Sequence, residues 1–510
     1  MSIVSMAFLI FIAISLCIYY ITPRTLQWIV LLIFSVVFFV LSSSIKMLII
    51  LSVIILINWI SALITEKNNS KRKLIYVLTI TLNLALLVFF KDINFFPDTL
   101  NAIAEFLGYP THFPRISILA PIGISYFMLN LIGYITEVYW GKFPAQKNIG
   151  KIFLFTSYFP LMTSGPFIKY DQTGKNLLEK HEFNYDRIVS GAERILWGFF
   201  KKLVIAERLN IIVNTVYSDF ITFGGSYILI AAVCFVMQLY TDFSGAIDIA
   251  LGVSECFGIV LPENFDIPFW STNISEFWRR WHITLGNWLR EYVFYPLLRS
   301  NAFRRLKKWC TKKIGKSYEK KFNLPVYMAM FITWFLIGFW HGGKWNYIFG
   351  SGLYYWFVIT VSEICSPLFS RIIKILDINT NCSSYRLFQR FRTFCIFTFG
   401  LSFFRASSLT NGVLLWKSAL LNKTALMINS PTVFGLGLNK SDMVVLVVAL
   451  GILVITALLR LYLQQSVRAW FNQQNILFKG SILMIAAIGV IIFGIYGPGV
   501  TAAEFIYQQF

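Results

Sequence analysis

Apolar runs of about 18 to 22 residues recur along this chain, and each is long enough to cross a hydrocarbon core of roughly 30 Å as a helix. Lipid offers no hydrogen bonds to the backbone, so only helices or closed barrels span it. A barrel would show alternation over about ten residues, and these runs do not alternate. The chain is 57% hydrophobic with 14% charged residues, against roughly 25% charged in an average soluble domain. The spans read 3–22, 27–43, 46–65, 74–92, 116–139, 195–213, 224–242, 324–341, 346–366, 388–406, 444–463 and 480–499. Weaker segments at 152–168 and 245–261 look re-entrant or tilted. The expected fold is an all-α polytopic membrane protein with about 11 to 13 transmembrane helices plus re-entrant or interfacial ones. No Lys or Arg precedes the first span and no small-residue cleavage site follows it, so it is expected to stay as an anchor.

The net charge of +21 would suit a nucleic-acid partner if it were spread over a soluble surface. It is confined to loops instead. Lys67, Lys71, Arg72 and Lys73 sit together, residues 299–321 hold ten Lys or Arg against Glu319, and Arg371, Lys374, Arg386, Arg390 and Arg392 form a third group. These loops are expected on the cytoplasmic side. The loop 92–115, with Asp92, Asp98, Glu105 and Arg115, then falls outside, and threading the spans places both termini outside. The seven cysteines show no CxxC and no pairing with histidine spacing, so no metal framework or disulfide scaffold is expected. Without an internal repeat or a low-complexity linker, the chain reads as one membrane domain, 1–510: N-terminal helices 1–115, a core carrying the motifs 116–410, and C-terminal helices 411–510.

Three polar constellations interrupt the apolar background. In "NISEFWRRWHITLGNWLREYVFYPL" (273–297), Trp278, Trp281, Leu285, Trp288, Tyr292 and Tyr295 recur at spacings of three and four, the mark of one helical face. Glu276, Arg279, Arg280, His282, Asn287, Arg290 and Glu291 lie off that stripe. A membrane-surface helix with snorkelling arginines explains the pattern as well as a site does; the guanidinium groups of Arg279 and Arg280 also suit a ligand's phosphates. In "LIGFWHGGKWNYIFG" (336–350), His341 stands at the outer end of a span beside Gly338, Gly342 and Gly343. An ionisable group inside a span is by default a functional candidate, and a neutral imidazole there can take a proton from an attacking hydroxyl or carry an acyl group. Packing between two helices is the competing reading. In "QLYTDFSGAIDIALG" (238–252), Asp242 and Asp248 need partners, with Arg279, Arg280 or the histidines as candidates, and structural pairing is at least as probable as chemistry. Glu137 is read the same way. His112 and His181 lie in hydrophilic stretches and are expected to be solvated.

At these residues the sequence resembles the membrane-bound O-acyltransferase family, in its bacterial alginate O-acetyltransferase-like branch. The resemblance rests on "PIGISYF" (121–127), "SGPFIKYDQ" (164–172), "QLYTDFSG" (238–245), "ENFDIPFW" (263–270), "SEFWRRWHITLGNWLREYVFYPL" (275–297), "GFWHGGKW" (338–345), "LSFFRASS" (401–408) and "EFIYQQF" (504–510). It implies helices around a central tunnel, His341 as catalytic base, and His282 as a second active-site residue nearer the cytoplasmic donor. Trp278, Arg279 and Arg280 would then meet the donor, with Asp242, Trp340 and Gly342 supporting the tunnel and no metal involved. It further implies acetyl-CoA as donor substrate without a bound cofactor, and transfer across the plasma membrane of a bacterium to an extracellular polysaccharide or cell-wall glycan. The implied partners are the lipid bilayer, an extracytoplasmic SGNH-hydrolase-like acetyltransferase and an acyl carrier protein, with no nucleic acid. One departure stands out: a glycine pair usual after "YxPL" is replaced here by "YPLLRSNAFRRLKK" (295–308). The D-alanyl transferase of teichoic acid shares several of these motifs and is the alternative within the family. A transporter or flippase without chemistry is the alternative outside it, and a purely structural subunit would leave a buried His341 unexplained.

Overall fold

A computed structural model describes residues 1–67, 70–109, 112–315, 322–424, 430 and 432–496. The terminal "EFIYQQF" and part of the basic loop 299–321 lie outside the described residues. The described chain is helical, with one isolated antiparallel bridge between Phe265 and Trp281. Among the described residues, six helices are long and apolar enough to cross a membrane: Arg24–Ser42, Ile45–Lys67, Arg72–Asp92, Gly225–Cys256, Lys440–Leu463 and Ile476–Phe493. A bent pair, Trp345–Ile364 with Ser366–Ile375, makes a seventh, and Met6–Ile21, Ile149–Leu161 and Leu324–Trp340 are shorter apolar helices.

Each of the twelve expected spans overlaps a helix, but several carry too much charge or too little length to pass that test, and 497–499 of the last lie outside the described residues. Residues 195–213 include Lys201, Lys202, Glu207 and Arg208, and the helix Ser383–Arg405 carries Arg386, Arg390, Arg392 and Arg405. The expected span 116–139 begins only at Ile124, because Pro121 and a left-handed Gly123 precede the helix. A side chain at Gly123 would run into the Met162 carbonyl, which explains the glycine of "PIGIS". The segment 245–256, expected to be re-entrant or tilted, instead continues the 32-residue helix Gly225–Cys256 without a break.

Two compact units divide the chain: 1–212 with 237–262 and 427–510, and 213–236 with 263–426. In the first, Phe8, Phe11, Phe38 and Phe159 pack ring against ring with centroids 5.3 to 6.4 Å apart. Asn58 and Asn83 exchange side-chain bonds of 2.9 and 2.8 Å between two candidate spans, a pairing that apolar surroundings reward. A glycine seam joins Tyr185–Phe199 to Gly225–Cys256, with Gly191 against Gly252 and Gly198 against Gly245, seven residues apart on each helix. A Cβ on Gly252 would sit 2.5 Å from the Gly191 carbonyl oxygen, and one on Gly198 would sit 2.7 Å from that of Gly245. Only glycine allows backbones this close. Gly252→Ala is therefore expected to cost about 1–3 kcal/mol through overpacking, read as a lower melting temperature in detergent than that of Gly451→Ala, whose Cβ would meet open space.

The same two helices carry the buried charges. Lys202, within a wide π-type stretch Phe200–Ala206, lies 2.6 Å from Asp242 and 2.8 Å from Glu207, all three almost fully buried. Asp248 is held by Lys201 and by Arg194 at 2.9 Å, and Arg208 meets Asp442 at 2.9 Å. The preceding helical stretch thus supplies a partner to each aspartate, Lys202 to Asp242 and both Arg194 and Lys201 to Asp248. Glu137 pairs with Lys142 at 3.0 Å. His181 is buried, contrary to the expectation of a solvated residue: its backbone N–H donates to Gln27 Oε1 and its carbonyl accepts from Gln27 Nε2, both at 2.9 Å. His112 is exposed.

Candidate functional site

The second unit holds both motif histidines. The amphipathic stretch 273–297 is not one helix, as its spacing suggests, but short turns, Ile274–Arg280 and Ile283–Leu289, broken at His282. His282 adopts φ 47°, ψ 50°, a left-handed conformation that costs a residue with a Cβ about 1–2 kcal/mol. Neighbouring bonds enforce it. Phe265 pairs with Trp281, the Asp266 N–H donates to the Arg280 carbonyl at 2.9 Å, and the Ile283 N–H donates to the Asn264 carbonyl at 3.0 Å. The chain before His282 is thus stitched to residues 264–266, and the turn places the imidazole in the interior, where it is 3% exposed.

Its polar neighbour is Asn264, which is fully buried. Asn264 Oδ1 lies 3.2 Å from His282 Nδ1 and accepts from the Thr284 backbone N–H at 3.1 Å and the Thr284 hydroxyl at 2.9 Å. Burial pushes the His282 pKa down to about 3, and this residue lies outside the candidate spans. The unfolded chain takes up this proton as pH falls below about 6.5, while the folded chain does not until about 3. Stability is therefore unaffected by this group above pH 6.5 and is lost progressively as pH falls through that window, roughly 2 kcal/mol by pH 5. His282→Phe is expected to flatten the decline in melting temperature between pH 7.5 and pH 5.

His341 ends the helix Leu324–Trp340, and its N–H donates to the Ile337 carbonyl at 3.3 Å. Gly342 (φ 137°) and Gly343 (φ 56°) then turn the chain sharply, each with an N–H donating to the Phe339 carbonyl. This turn needs both glycines. Gly338 serves a different end: a Cβ there would lie 2.5 Å from Ile348 Cα, so the glycine lets the next helix press against this one. The His341 ring is 5.0 Å from that of Trp340 and 5.5 Å from that of Phe404, and the Phe404 ring lies in turn 4.7 Å from that of Tyr347, tilted by 39°. The His282 ring lies 6.2 Å from the same Trp340. One indole therefore touches both imidazoles.

The other expected site residues divide between two settings. Trp278 is half-buried in an aromatic cluster, 5.1 Å from Trp334, 4.9 Å from Tyr355 and 5.9 Å from Phe397. Arg279 is exposed, while Arg280 pairs with Glu276 at 2.8 Å. Arg392 donates to the Thr272 carbonyl at 3.0 Å, and Arg390 covers the Trp270 ring at 5.0 Å. These arginines gather around the loop 266–276 and give it a guanidinium-rich surface. Asp242 belongs to the first unit's ion network described above. Sequence reading overlooked Asn264, although it sits inside "ENFDIPFW", and Arg405, which donates to Asn214 Oδ1 at 2.6 Å and lies over the Tyr217 ring at 5.5 Å. A side-chain amide just ahead of an apolar strip, 18 residues before a buried histidine, gave no periodic signal.

Residues 144–311, which carry Asn264, the WRRWH turn and the lysine pair 201–202, match the membrane-bound O-acyltransferase family. This stretch is similar to that family. It is 32% identical over 340 residues to the probable alginate O-acetylase AlgI of Pseudomonas putida, covering 65% of this chain and 62% of the relative. It is 29% identical over 306 residues to the peptidoglycan O-acetyltransferase of Helicobacter pylori (55% and 54% covered). It is 32% identical over 270 residues to the teichoic acid D-alanyltransferase of Bacillus subtilis (52% and 64% covered). The matched part thus spans between about half and two thirds of each of these relatives. Similarity to this membrane-bound family accords with the apolar helices and with exposed side chains such as Leu477, Ile485 and Ile491, which suit a lipid-facing surface.

Proposed function

We propose that this protein is a membrane O-acyltransferase that takes acetyl from cytoplasmic acetyl-CoA and delivers it across the plasma membrane to an extracellular polysaccharide or cell-wall glycan. The observation that carries the reading is the placement of His282 and His341 beside one indole, Trp340, in a chain similar to this family. In the reaction, an acceptor hydroxyl oxygen attacks the thioester carbon. A carbon–oxygen bond forms and the carbon–sulfur bond breaks. The proton leaves the hydroxyl for a neutral imidazole, assigned to His341, and passes to the departing thiolate, so that free CoA and the ester result. His282 is the second imidazole of the site, and Trp340 and Gly342 hold the shape of the turn between them.

The guanidinium surface of Arg279, Arg280, Arg390 and Arg392 would receive the phosphates of the donor, on the cytoplasmic side that the basic loops favour; both termini then lie outside. The final acceptor is reached through an extracytoplasmic SGNH-hydrolase-like partner. A second reading has one observation in its favour: similarity to teichoic acid D-alanyltransferases would make an acidic acyl carrier protein the donor on the same surface. Binding of acetyl-labelled acetyl-CoA to the purified protein tests the donor site. Replacing Arg279 and Arg280 together by Gln is expected to weaken binding about tenfold or more, as the loss of two phosphate contacts would. Unchanged binding would remove these arginines from the donor site, and binding of a D-alanyl carrier protein in place of acetyl-CoA would favour the second reading.

A further inference from the structure

We propose that Asn264 is the positioning residue of His282, holding the imidazole in the tautomer protonated on Nδ1 and so leaving the lone pair on Nε2. The assignment follows from which atoms can only donate. A backbone N–H has no acceptor capacity, and that of Thr284 points at Asn264 Oδ1 from 3.1 Å. The atom facing it is therefore the amide oxygen and not the nitrogen. His282 Nδ1 lies 3.2 Å from that same oxygen, and two acceptors cannot share a hydrogen bond, so Nδ1 carries the proton. In a neutral imidazole the other nitrogen then bears the lone pair.

Three further features support a role beyond packing. His282 is held in a left-handed conformation that an ordinary helix would avoid, and such local strain persists where the surroundings over-determine it. The bonds that enforce it come from residues 264–266, so the stretch that supplies the amide also sets the turn. Finally, Asn264 Nδ2 is buried and has no acceptor among the described residues. A buried amide left without an acceptor costs about 1–3 kcal/mol, and an oxygen of a bound acyl group would meet it. The charged and titratable groups of the flanking segments are Glu263 and Asp266 on the first, Glu276, Arg279 and Arg280 on the second, and His341 beyond Trp340. Glu263 and Arg279 are exposed, and Glu276 is paired with Arg280. Asn264, which meets His282 Nδ1, and Thr284, which donates to the same amide oxygen, are both neutral.

This inference rests on the acyltransferase reading for its consequence but not for its test. The full chain has four histidines, few enough for histidine-selective nitrogen labelling and magnetic-resonance spectroscopy in bilayers. The wild type is expected to show His282 protonated on Nδ1 and bare on Nε2. Asn264→Asp keeps an oxygen in place and should keep that tautomer, while its carboxylate stabilises the imidazolium. The acid limb of the acyl-transfer pH profile should then move up by about one unit or more. Asn264→Ala should mix the tautomers and lower kcat about tenfold or more. If Asn264→Ala does not fold, the wild-type tautomer and the Asn264→Asp profile still decide the matter. A wild-type His282 protonated on Nε2 would overturn the assignment. So would an Asn264→Asp profile that superimposes on the wild type, since a purely structural amide would leave it unmoved. A wild type that shows the Nδ1 tautomer but transfers no acyl group would sink the proposed reaction and leave the positioning intact.

Discussion

Replacing His341 by Ala is expected to lower O-acetylation of the cell-surface polysaccharide by about 100-fold to 10,000-fold, the usual contribution of a general base. The loss should come without a loss of protein. His341 ends its helix through backbone bonds, and Gly342 and Gly343 set the turn, so neither depends on the imidazole. The ring packs against Trp340 and Phe404. Measuring ester-linked acetate in cells with matched membrane levels of wild type and variant separates chemistry from folding. An acetyl content equal to that of wild type would take His341 out of the reaction. His341→Gln, closer in size, should be as inactive, because an amide side chain cannot take up a proton at neutral pH.

The second large effect concerns stability. Asp242→Ala leaves Lys202 and Glu207 buried with one carboxylate removed from the triad, and breaking a buried ion pair by deleting one partner typically costs about 3–5 kcal/mol. The expected result is a severe drop in the yield of folded protein and in its melting temperature, far beyond that of deleting an exposed charge such as Glu182. Asp242→Asn retains a hydrogen-bonding oxygen for Lys202 and should recover part of the loss. If Asp242→Ala folds and melts as wild type does, while acyl transfer disappears, the aspartate acts in the reaction and not in the ion network.

Much of this architecture is legible in the sequence, for physical reasons that differ from element to element. Apolar runs announce helices because lipid permits little else, and each of the twelve expected spans overlaps a helix. Their ends are less legible: Pro121 and Gly123 delay one helix, and Asp242 and Asp248 interrupt the hydropathy of another without interrupting its backbone. The glycines at 191, 198, 245 and 252 look like scattered small residues until the two helices are laid together. His282 falls on the periodic aromatic stripe's helix in the sequence, yet long-range pairing with residues 264–266 turns the chain there. His181 stands among charges and is still buried, because Gln27, from a distant helix, closes over its backbone. Asn264 could not be singled out for the same reason, since its role depends on a contact across 18 residues.

The central claim is that an acyl thioester is consumed here with the help of His341. The most direct measurement places the purified full chain in lipid vesicles, supplies acetyl-CoA with an acceptor glycan, and follows the free thiol released. Release by the wild type, reduced to background in His341→Gln while the variant melts at the same temperature, is the expected result. No release by the wild type in the presence of acceptor, or release that persists undiminished in His341→Gln, would contradict the account.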